Sequence, residues 1–310
     1  MRRLNYDNTD LGFSFALTTF VMVVISLVLQ VVGIGSSSLG YWITQAVYTL
    51  AIGSSSVVYA LVSRTKFIAA TKVNKAPKID HILWGIAAVI CLVFAMSVIN
   101  NLFVTGIGSI DGLEKPSVSI EKNLAGLIIC ACILPALAEE LVFRGTIAQS
   151  LYYYKSKWGA LAISGALFSI FHANPAQTLH QFVLGAFLTL LVFRSGSVWT
   201  SILVHLFNNL FVVALSYTPL GVDELWDVTK TPQIAVPVMI LGILGFVACT
   251  LVYLKTTDSS WKNSPDEIYN NEGEIESAEQ TILSDQRLSS APLWVGVFVC
   301  VALWVSQLLK

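Results

Sequence analysis

Apolar residues fill most of this chain in long runs, and short polar stretches separate the runs. A helix rises about 1.5 Å per residue, so about 20 apolar residues cross the hydrocarbon core of a bilayer. Nine runs are predicted as membrane helices: 11–34, 41–63, 82–104, 123–151, 158–172, 177–193, 198–216, 233–254 and 292–309. Two of them, 158–172 and 177–193, are on the short side. The pattern predicts an all-α, polytopic membrane helical bundle with about eight core helices and a ninth at the C-terminus.

One long polar stretch interrupts this pattern. Residues 255–291 are rich in Ser, Asn and Glu, a composition typical of an acidic, flexible linker. The chain is therefore divided into N-terminal membrane helices (1–122), a central membrane core (123–216), a further membrane helix (217–254), the acidic linker (255–291) and a C-terminal membrane helix (292–310).

The composition agrees with a membrane protein. Of the 310 residues, 55% are hydrophobic and 12% are charged, whereas about 25% charged is usual for a soluble domain. A net charge of −1 gives no reason to expect nucleic-acid binding. The cysteines lie in apolar runs without a CxxC pair, and we interpret them as buried thiols: Cys91, Cys130, Cys132, Cys249 and Cys300.

Lys and Arg residues are distributed unevenly between the predicted loops. They precede the first span and follow the second, fourth and sixth spans: Arg2, Arg3, Arg64, Lys66, Lys72, Lys75, Lys78, Lys155, Lys157 and Arg194. The alternate loops are uncharged or acidic. Since loops rich in Lys and Arg stay in the cytoplasm, we predict a multi-pass protein with a cytoplasmic N-terminus, and the short loops favour a bacterial plasma membrane.

The predicted helix 123–151 carries three charged residues at the depth of the bilayer centre. They are Glu139, Glu140 and Arg144, and Pro135 precedes them. A charge at this depth costs about 2.5–3.5 kcal/mol, so intramembrane ionisable residues are candidates for a functional site. Pro135 removes a helix hydrogen bond, and we expect a kink there.

Helical geometry separates the two glutamates. Adjacent residues point about 100° apart on an α-helix, so Glu139 and Glu140 cannot share a direction. Glu140 and Arg144 are four residues apart with the acid first, which is the favoured order for an ion pair. Glu139 has no partner in its own helix, and a carboxylate in an apolar setting takes up a proton readily enough to act as a general base. The alternative is that all three charges form a structural cluster between helices.

Two later spans each carry a histidine with a polar or aromatic neighbour one turn away. Phe168 and His172 lie on one face of their helix, and His205 and Asn209 lie on one face of theirs. His81 and His180 lie at span entrances, where a histidine is usually a packing residue, and no role is assigned to them: the candidates are His172 and His205.

The candidates reach a similar depth on three different helices. By helix rise, His172 lies about 21 Å and Asn209 about 16 Å from the start of its span, and Glu139 about 18 Å from the end of helix 123–151. One shared, water-accessible pocket is less costly than three isolated polar groups in a bilayer. We therefore predict such a pocket, opening toward the cytoplasm.

This set of residues suits the activation of water. Glu139 and His172 can activate a water for attack on a carbonyl carbon, and His205 with Asn209 can stabilise the resulting oxyanion. Two histidines and a glutamate also form a known hydrolytic zinc set. The HExxH arrangement is absent, and Asn209 suits an oxyanion hole better than a zinc shell, so no metal is expected.

Three motifs can be read from these residues: Glu139-Glu140-x-x-x-Arg144, Phe168-x-x-x-His172 and His205-x-x-x-Asn209. Together they resemble the signature of the CAAX prenyl endopeptidase and bacteriocin-processing (CPBP, or Abi) family of intramembrane proteases. The resemblance covers roughly residues 120–216. It implies a catalytic membrane core that hydrolyses peptide bonds, with Glu139 as the water-activating residue assisted by His172. It also implies His205 and Asn209 as the oxyanion-stabilising pair, with Glu140, Arg144 and Phe168 in supporting roles. The span after the acidic linker is not obviously part of this shared core.

Three functions remain open on the sequence. The first is an intramembrane endopeptidase acting on a membrane-associated peptide or protein. The second is a non-catalytic bacteriocin-immunity or scaffold protein, which would not need this set of side chains. The third is a transporter that uses Glu139 as a proton relay, although the chain lacks the repeated halves common in transporters. The sequence does not indicate the oligomeric state.

Overall fold

Helices form almost all of the structure. The computed structural model describes residues 3–33, 37–106, 123–152, 154, 156–216, 231–257, 268–269, 275–276 and 290–308. In chain order, the helices are α1 (Asp10–Val32), α2 (Ser38–Val62), α3 (Phe67–Ala70), α4 (Ile79–Gly106), α5 (Leu124–Leu127), α6 (Leu134–Val142), α7 (Lys157–Phe171), α8 (Thr178–Ser195), α9 (Val198–Ser216), α10 (Pro232–Thr256) and α11 (Ala291–Leu308). The expected all-α fold is confirmed.

Eight helices in the described residues are long and apolar enough to cross a membrane. One of them, the composite helix Leu124–Leu151, contains α5, α6 and the turns that join them. The predicted span 158–172 forms α7, which has 15 residues and rises about 22 Å, less than the roughly 30 Å of a hydrocarbon core. It ends because Ala173 adopts a φ of 47° and Pro175 follows. His172 therefore lies at the end of a helix that is too short to cross a hydrocarbon core.

The outer surface of the bundle is apolar. Large hydrophobic side chains are exposed along α1, α2, α10 and α11, including Val31 at 86% and Phe298 at 74%. Soluble monomers rarely expose contiguous apolar patches of such extent. Lipid contact explains this surface, as expected for a multi-pass integral membrane protein.

The basic loops meet on one face of the bundle. Arg3 donates its backbone N–H to the Arg64 carbonyl (2.9 Å), and so joins the N-terminus to the loop after α2. Ser197, in the turn before α9, donates to the Lys75 carbonyl (2.6 Å). We call this side the basic face; α1 runs away from it and α2 returns to it.

Packing between helices places the C-terminal helix on the body of the protein. Helix α4 packs along α10, α7 along α8, and α11 along α1. Gly296 of α11 lies against the Phe15 ring of α1, and Trp304 Nε1 donates to Thr178 Oγ1 at the start of α8 (2.8 Å). Helix α11 is therefore an integral part of the bundle.

The predicted acidic linker falls largely outside the described residues. Within 255–291, the structure describes 255–257, 268–269, 275–276 and 290–291. Strands β1 (Ile268–Tyr269) and β2 (Ile275–Glu276) pair antiparallel in this region. The predicted flexibility of the segment is not addressed by these residues.

Helices α7 and α8 approach each other closely at glycine, which makes this contact sensitive to substitution. A Cβ at Gly165 would lie 2.6 Å from the Phe182 carbonyl oxygen and 3.0 Å from the Ala186 nitrogen. We predict that Gly165→Ala lowers the free energy of unfolding by about 1–3 kcal/mol, because backbone atoms must move apart. Thermal unfolding in detergent measures this change.

The matched control is Ala162→Val, one turn earlier on the exposed face of α7. It adds volume where no neighbouring helix lies, so the unfolding midpoint should stay close to that of the wild type. Equal stability of the two variants would contradict close α7–α8 packing.

Candidate active site

The helix that carries both glutamates is not a regular α-helix. Residues Ile128–Ile133 and Phe143–Ile147 form π-helical turns on either side of α6. Pro135 stands in the first turn of α6, where its missing N–H is tolerated. The expected irregularity at the proline thus takes the form of a π-helical turn just before it. Such turns are frequent at functional sites.

The carboxylate of Glu140 is completely buried and joins two helices. Its Oε1 accepts hydrogen bonds from Arg144 Nη1 (2.7 Å) and His205 Nδ1 (2.9 Å). Both Glu140 and Arg144 have side chains with 0% exposure. The ion pair expected from the four-residue spacing is present. The bond to His205 of α9, 65 positions along the chain, was not predicted.

Arg144 extends the same network to α8 and α7. Its Nη2 donates to the Gly185 carbonyl of α8 (3.1 Å). Its guanidinium lies 4.1 Å from the centre of the Phe168 ring, a cation–π contact that is strongest when desolvated. A Cβ at Gly185 would lie 3.0 Å from Phe168, so this site needs a residue without a side chain. Phe168 is thus a packing residue between Arg144 and the two histidines.

Glu139 and His172 form a second, more accessible pair. His172 Nε2 lies 3.7 Å from Glu139 Oε2, and their side chains are 19% and 20% exposed. His172 Nδ1 lies 2.7 Å from the Phe168 carbonyl. Since a carbonyl only accepts, Nδ1 carries the proton and a neutral ring presents Nε2 as an acceptor. The gap to Glu139 is too long for a direct hydrogen bond, and a water can bridge it.

His205 and Asn209 lie on the same face of α9. His205 is 4% exposed and uses Nδ1 to contact Glu140, which leaves Nε2 free. Asn209 Oδ1 accepts from Asn208 Nδ2 (3.2 Å). This bond directs the Asn209 amide nitrogen away from Asn208 and leaves its N–H groups available as donors. Asn208, which is 4% exposed, was missed by sequence reasoning because only Asn209 shares the His205 face.

His180 is a further residue that the sequence pattern did not single out. It lies near the start of α8 and interacts electrostatically with both His172 and His205. Its position at a span entrance suggested a packing residue, and the sequence carries no spacing signal that links it to the other two. His81, by contrast, packs edge-on against the Tyr253 ring of α10 at a centroid distance of 5.7 Å.

The geometry can be compared with the requirements of a metal site. Among the described residues, no group of three or more His, Cys, Asp or Glu side chains is arranged to hold a metal ion. His172 and His205 each commit Nδ1 to a protein acceptor. All five cysteines are free thiols as expected, but only Cys132 and Cys300 are buried; the prediction of burial is wrong for Cys91, Cys130 and Cys249, which are partly exposed.

Comparison with known proteins agrees with the predicted motifs. Residues 121–211 match the family model described as Type II CAAX prenyl endopeptidase Rce1-like. We call residues 121–211 the Rce1-like region because of this similarity. The resemblance seen in the three motifs is thus confirmed, and the Rce1-like region contains the composite helix, α7, α8 and most of α9. Helices α1, α2, α4, α10 and α11 lie outside it.

One curated protein is similar in sequence to part of the chain. The chain is 29% identical over 140 residues to "Putative membrane peptidase YdiL" of Bacillus subtilis (strain 168), which corresponds to 44% of this chain and 57% of that protein. The match therefore spans little more than half the length of the relative. No solved structure matches the chain.

The buried ion pair should dominate the stability of the Rce1-like region. We predict that Arg144→Met lowers the free energy of unfolding by about 3–5 kcal/mol, because it leaves the Glu140 carboxylate buried without its main partner. Glu140→Gln should also destabilise the protein. The free energy of unfolding of the double variant should fall by less than the sum of the decreases in the two single variants. Thermal or denaturant unfolding in detergent measures all three; strictly additive losses would show that the two side chains do not interact.

Proposed function

We propose that this protein is an intramembrane endopeptidase that uses Glu139 to activate water. The observation that carries the proposal is the partly exposed Glu139–His172 pair, 3.7 Å apart within helices that are otherwise apolar. The Rce1-like region and the relative named as a membrane peptidase support a peptidase. A partly exposed carboxylate 3.7 Å from an imidazole, close enough for one water beside them to hydrogen-bond to both, is an arrangement suited to general-base catalysis.

The proposed reaction begins with a water held between Glu139 and His172. Glu139 accepts a proton as the water oxygen attacks the carbonyl carbon of the scissile peptide bond. The negative charge that develops on the carbonyl oxygen is stabilised by donors from His205 and Asn209. Glu139 then returns the proton to the leaving nitrogen, and His172 orients the water throughout.

The protonation of His205 follows from its contact with Glu140. A carboxylate accepts, so His205 Nδ1 carries a proton. His205 Nε2 can donate to an oxyanion only if it carries a second proton. The proposed oxyanion contact therefore requires protons on both ring nitrogens of His205, with the Glu140 carboxylate placed between His205 and Arg144.

The substrate is proposed to be a peptide or protein already associated with the membrane. The family name refers to CAAX prenyl endopeptidases, so prenylated C-terminal tails are one candidate class, and leader or bacteriocin peptides are the other. The location of the basic loops on one face supports a cytoplasmic N-terminus in a plasma membrane.

A binding protein without catalysis is the second candidate function. A bacteriocin-immunity or scaffold protein could use the same pocket to hold a membrane-active peptide. The partly exposed Glu139 beside His172 favours catalysis, because a peptide binder has no need of an accessible base next to an imidazole.

We predict that Glu139→Gln abolishes cleavage without destabilising the protein. Purified protein in detergent is given a panel of farnesylated, leader-type and bacteriocin-type peptides, and mass spectrometry identifies new termini. Loss of the general base should lower the rate about 10²–10⁴-fold. The unfolding midpoint should stay near the wild-type value, because Glu139 is partly exposed and its carboxylate lies 3.7 Å from His172, too far for a direct hydrogen bond.

The control is Asp80→Asn, the same kind of change at the start of α4, where the side chain is 48% exposed. It should cleave at the wild-type rate. Cleavage that survives in Glu139→Gln would end the glutamate mechanism. Activity removed by a chelator and restored by zinc would favour the zinc-dependent alternative instead.

A further inference from the structure

The turn between α7 and α8 carries His172 and has a strained backbone. We call residues 172–177 the α7–α8 turn. Ala173 adopts a φ of 47°, a left-handed conformation that residues with a side chain rarely adopt. Residues in such conformations persist where the surrounding structure fixes them. The contacts that fix this turn therefore also bear on the orientation of His172.

Hydrogen bonds within the hairpin connect His172 to the start of α8. His172 Nδ1 donates to the Phe168 carbonyl (2.7 Å), and the next residue, Ser169, donates its hydroxyl to the Thr178 carbonyl (2.7 Å). Thr178 Oγ1 donates to the Asn174 carbonyl (3.0 Å). Thr178 thus joins the first turn of α8 both to the last turn of α7 and to the α7–α8 turn.

Trp304 of α11 contacts this hydrogen-bonded chain from outside the hairpin. Its Nε1–H donates to Thr178 Oγ1 (2.8 Å), the same hydroxyl that donates to Asn174. Helix α11 also packs against α7 and against Pro175–Gln177. The C-terminal helix therefore reaches the segment that carries His172 through one directional hydrogen bond.

The position of Trp304 along α11 matches the depth of the turn. Helix α11 runs parallel to α1, since Gly296 lies against Phe15 and Cys300 Sγ lies 3.7 Å from Thr19 Oγ1. It therefore starts at the basic face, as α1 does, and Trp304 lies about 20 Å along it. Helix α7 starts at the same face and rises about 22 Å to its end. The two helices thus reach the same level, where the indole meets the turn.

A second contact to the turn comes from α4. Asn100 Nδ2 donates to the Ala176 carbonyl, and the Ala176 N–H donates to Asn174 Oδ1 (3.0 Å). Both main-chain groups of Ala176 are therefore fixed. Helices α4 and α11 lie outside residues 121–211. The turn that follows α7 is thus held by two helices that the Rce1-like region does not include.

We propose that Trp304 and Asn100 are positioning residues that hold His172 in the orientation it needs to act with Glu139. This inference rests on the proposed peptidase function, which gives His172 its task. His172 Nε2 lies 3.7 Å from Glu139 Oε2, so a small displacement of the turn changes whether one water can contact both atoms. A displacement of about 1 Å can lower a catalytic rate about 10²-fold. Trp304 and Asn100 act through the turn and not on the substrate.

The first test is the kinetics of the peptide that the wild type cleaves in the panel described above. Trp304→Phe removes the indole N–H, Thr178→Val removes the hydroxyl, and Asn100→Leu removes the amide donor. Each should lower kcat about tenfold and leave KM within about twofold, because contacts to the substrate are unchanged. Adding Trp304→Phe to Thr178→Val should lower kcat little further, since the hydrogen bond between the two side chains is already lost.

Two controls separate the hydrogen bond from general disturbance of the helices. Thr178→Ser keeps the hydroxyl and should cleave at close to the wild-type rate. Trp158→Phe is the same change as Trp304→Phe at the start of α7, where the side chain is 79% exposed, and it should leave both constants unchanged. Thermal unfolding in detergent checks that every variant is folded.

A second measurement reports on His172 without turnover. In the full-length protein labelled with ¹⁵N-histidine, a ring fixed by the Phe168 carbonyl gives separate NMR signals for a protonated Nδ1 and an unprotonated Nε2. In Trp304→Phe and in Asn100→Leu, the two signals should move toward each other as the ring exchanges between tautomers. The signals of His81, which packs on Tyr253 at the start of α4, should not change. His172→Gln identifies the signals of His172.

The outcomes separate the two proposals. A lowered kcat together with averaged His172 signals supports the positioning roles. Wild-type kcat in Trp304→Phe and Asn100→Leu, or unchanged His172 signals in both, overturns them, while cleavage by the wild type leaves the proposed peptidase intact. If the wild type cleaves no peptide in the panel, the proposed function is wrong, and the His172 signals alone then decide whether the two residues position His172.

Discussion

The structure depends on one buried carboxylate. Glu140 has no exposed surface, and it binds Arg144 in its own helix and His205 in α9 through a single oxygen. Arg144 in turn reaches the Gly185 carbonyl of α8 and the ring of Phe168 in α7. A charge inside a bilayer is tolerated only with partners of this kind. The cost of burying Glu140 is therefore offset by contacts that bring four helical segments together around the site.

This arrangement gives the two adjacent glutamates different environments. Neighbouring positions on a helix point about 100° apart, so when Glu140 turns into the bundle, Glu139 must turn elsewhere. The Glu139 side chain lies beside His172, the residue at which the short helix α7 ends. The buried glutamate orients His205 and the exposed one is left accessible to water. In the proposed mechanism, the structural and the chemical role thus fall to two adjacent residues of the chain.

The local features of this site were predictable from sequence, and the contacts between distant segments were not. Apolar runs predict the spans, and the spacing of Glu140 and Arg144 predicts their ion pair, because both signals are confined to one helix. The bond from Glu140 to His205 depends on how α6 and α9 pack, which no spacing encodes. The same limit applies to His180. Residues 107–122, 217–230 and most of the predicted linker lie outside the described residues, so the expectations for them remain predictions.

The hydrogen bonds of the two imidazoles bear on the choice between water activation and zinc. A histidine that binds zinc often donates its second ring N–H to a carboxylate or carbonyl, and both His172 and His205 make such contacts. That feature alone suits either mechanism. The two mechanisms differ in what they require of the Nε2 atoms: zinc requires both to converge with Glu139 on one point. Water activation requires only that His172 and Glu139 face each other across one water while His205 acts on the carbonyl oxygen. In the proposed mechanism, the 3.7 Å separation of His172 Nε2 and Glu139 Oε2 lets one water hydrogen-bond to both, and the Asn208–Asn209 hydrogen bond leaves the Asn209 N–H groups as donors.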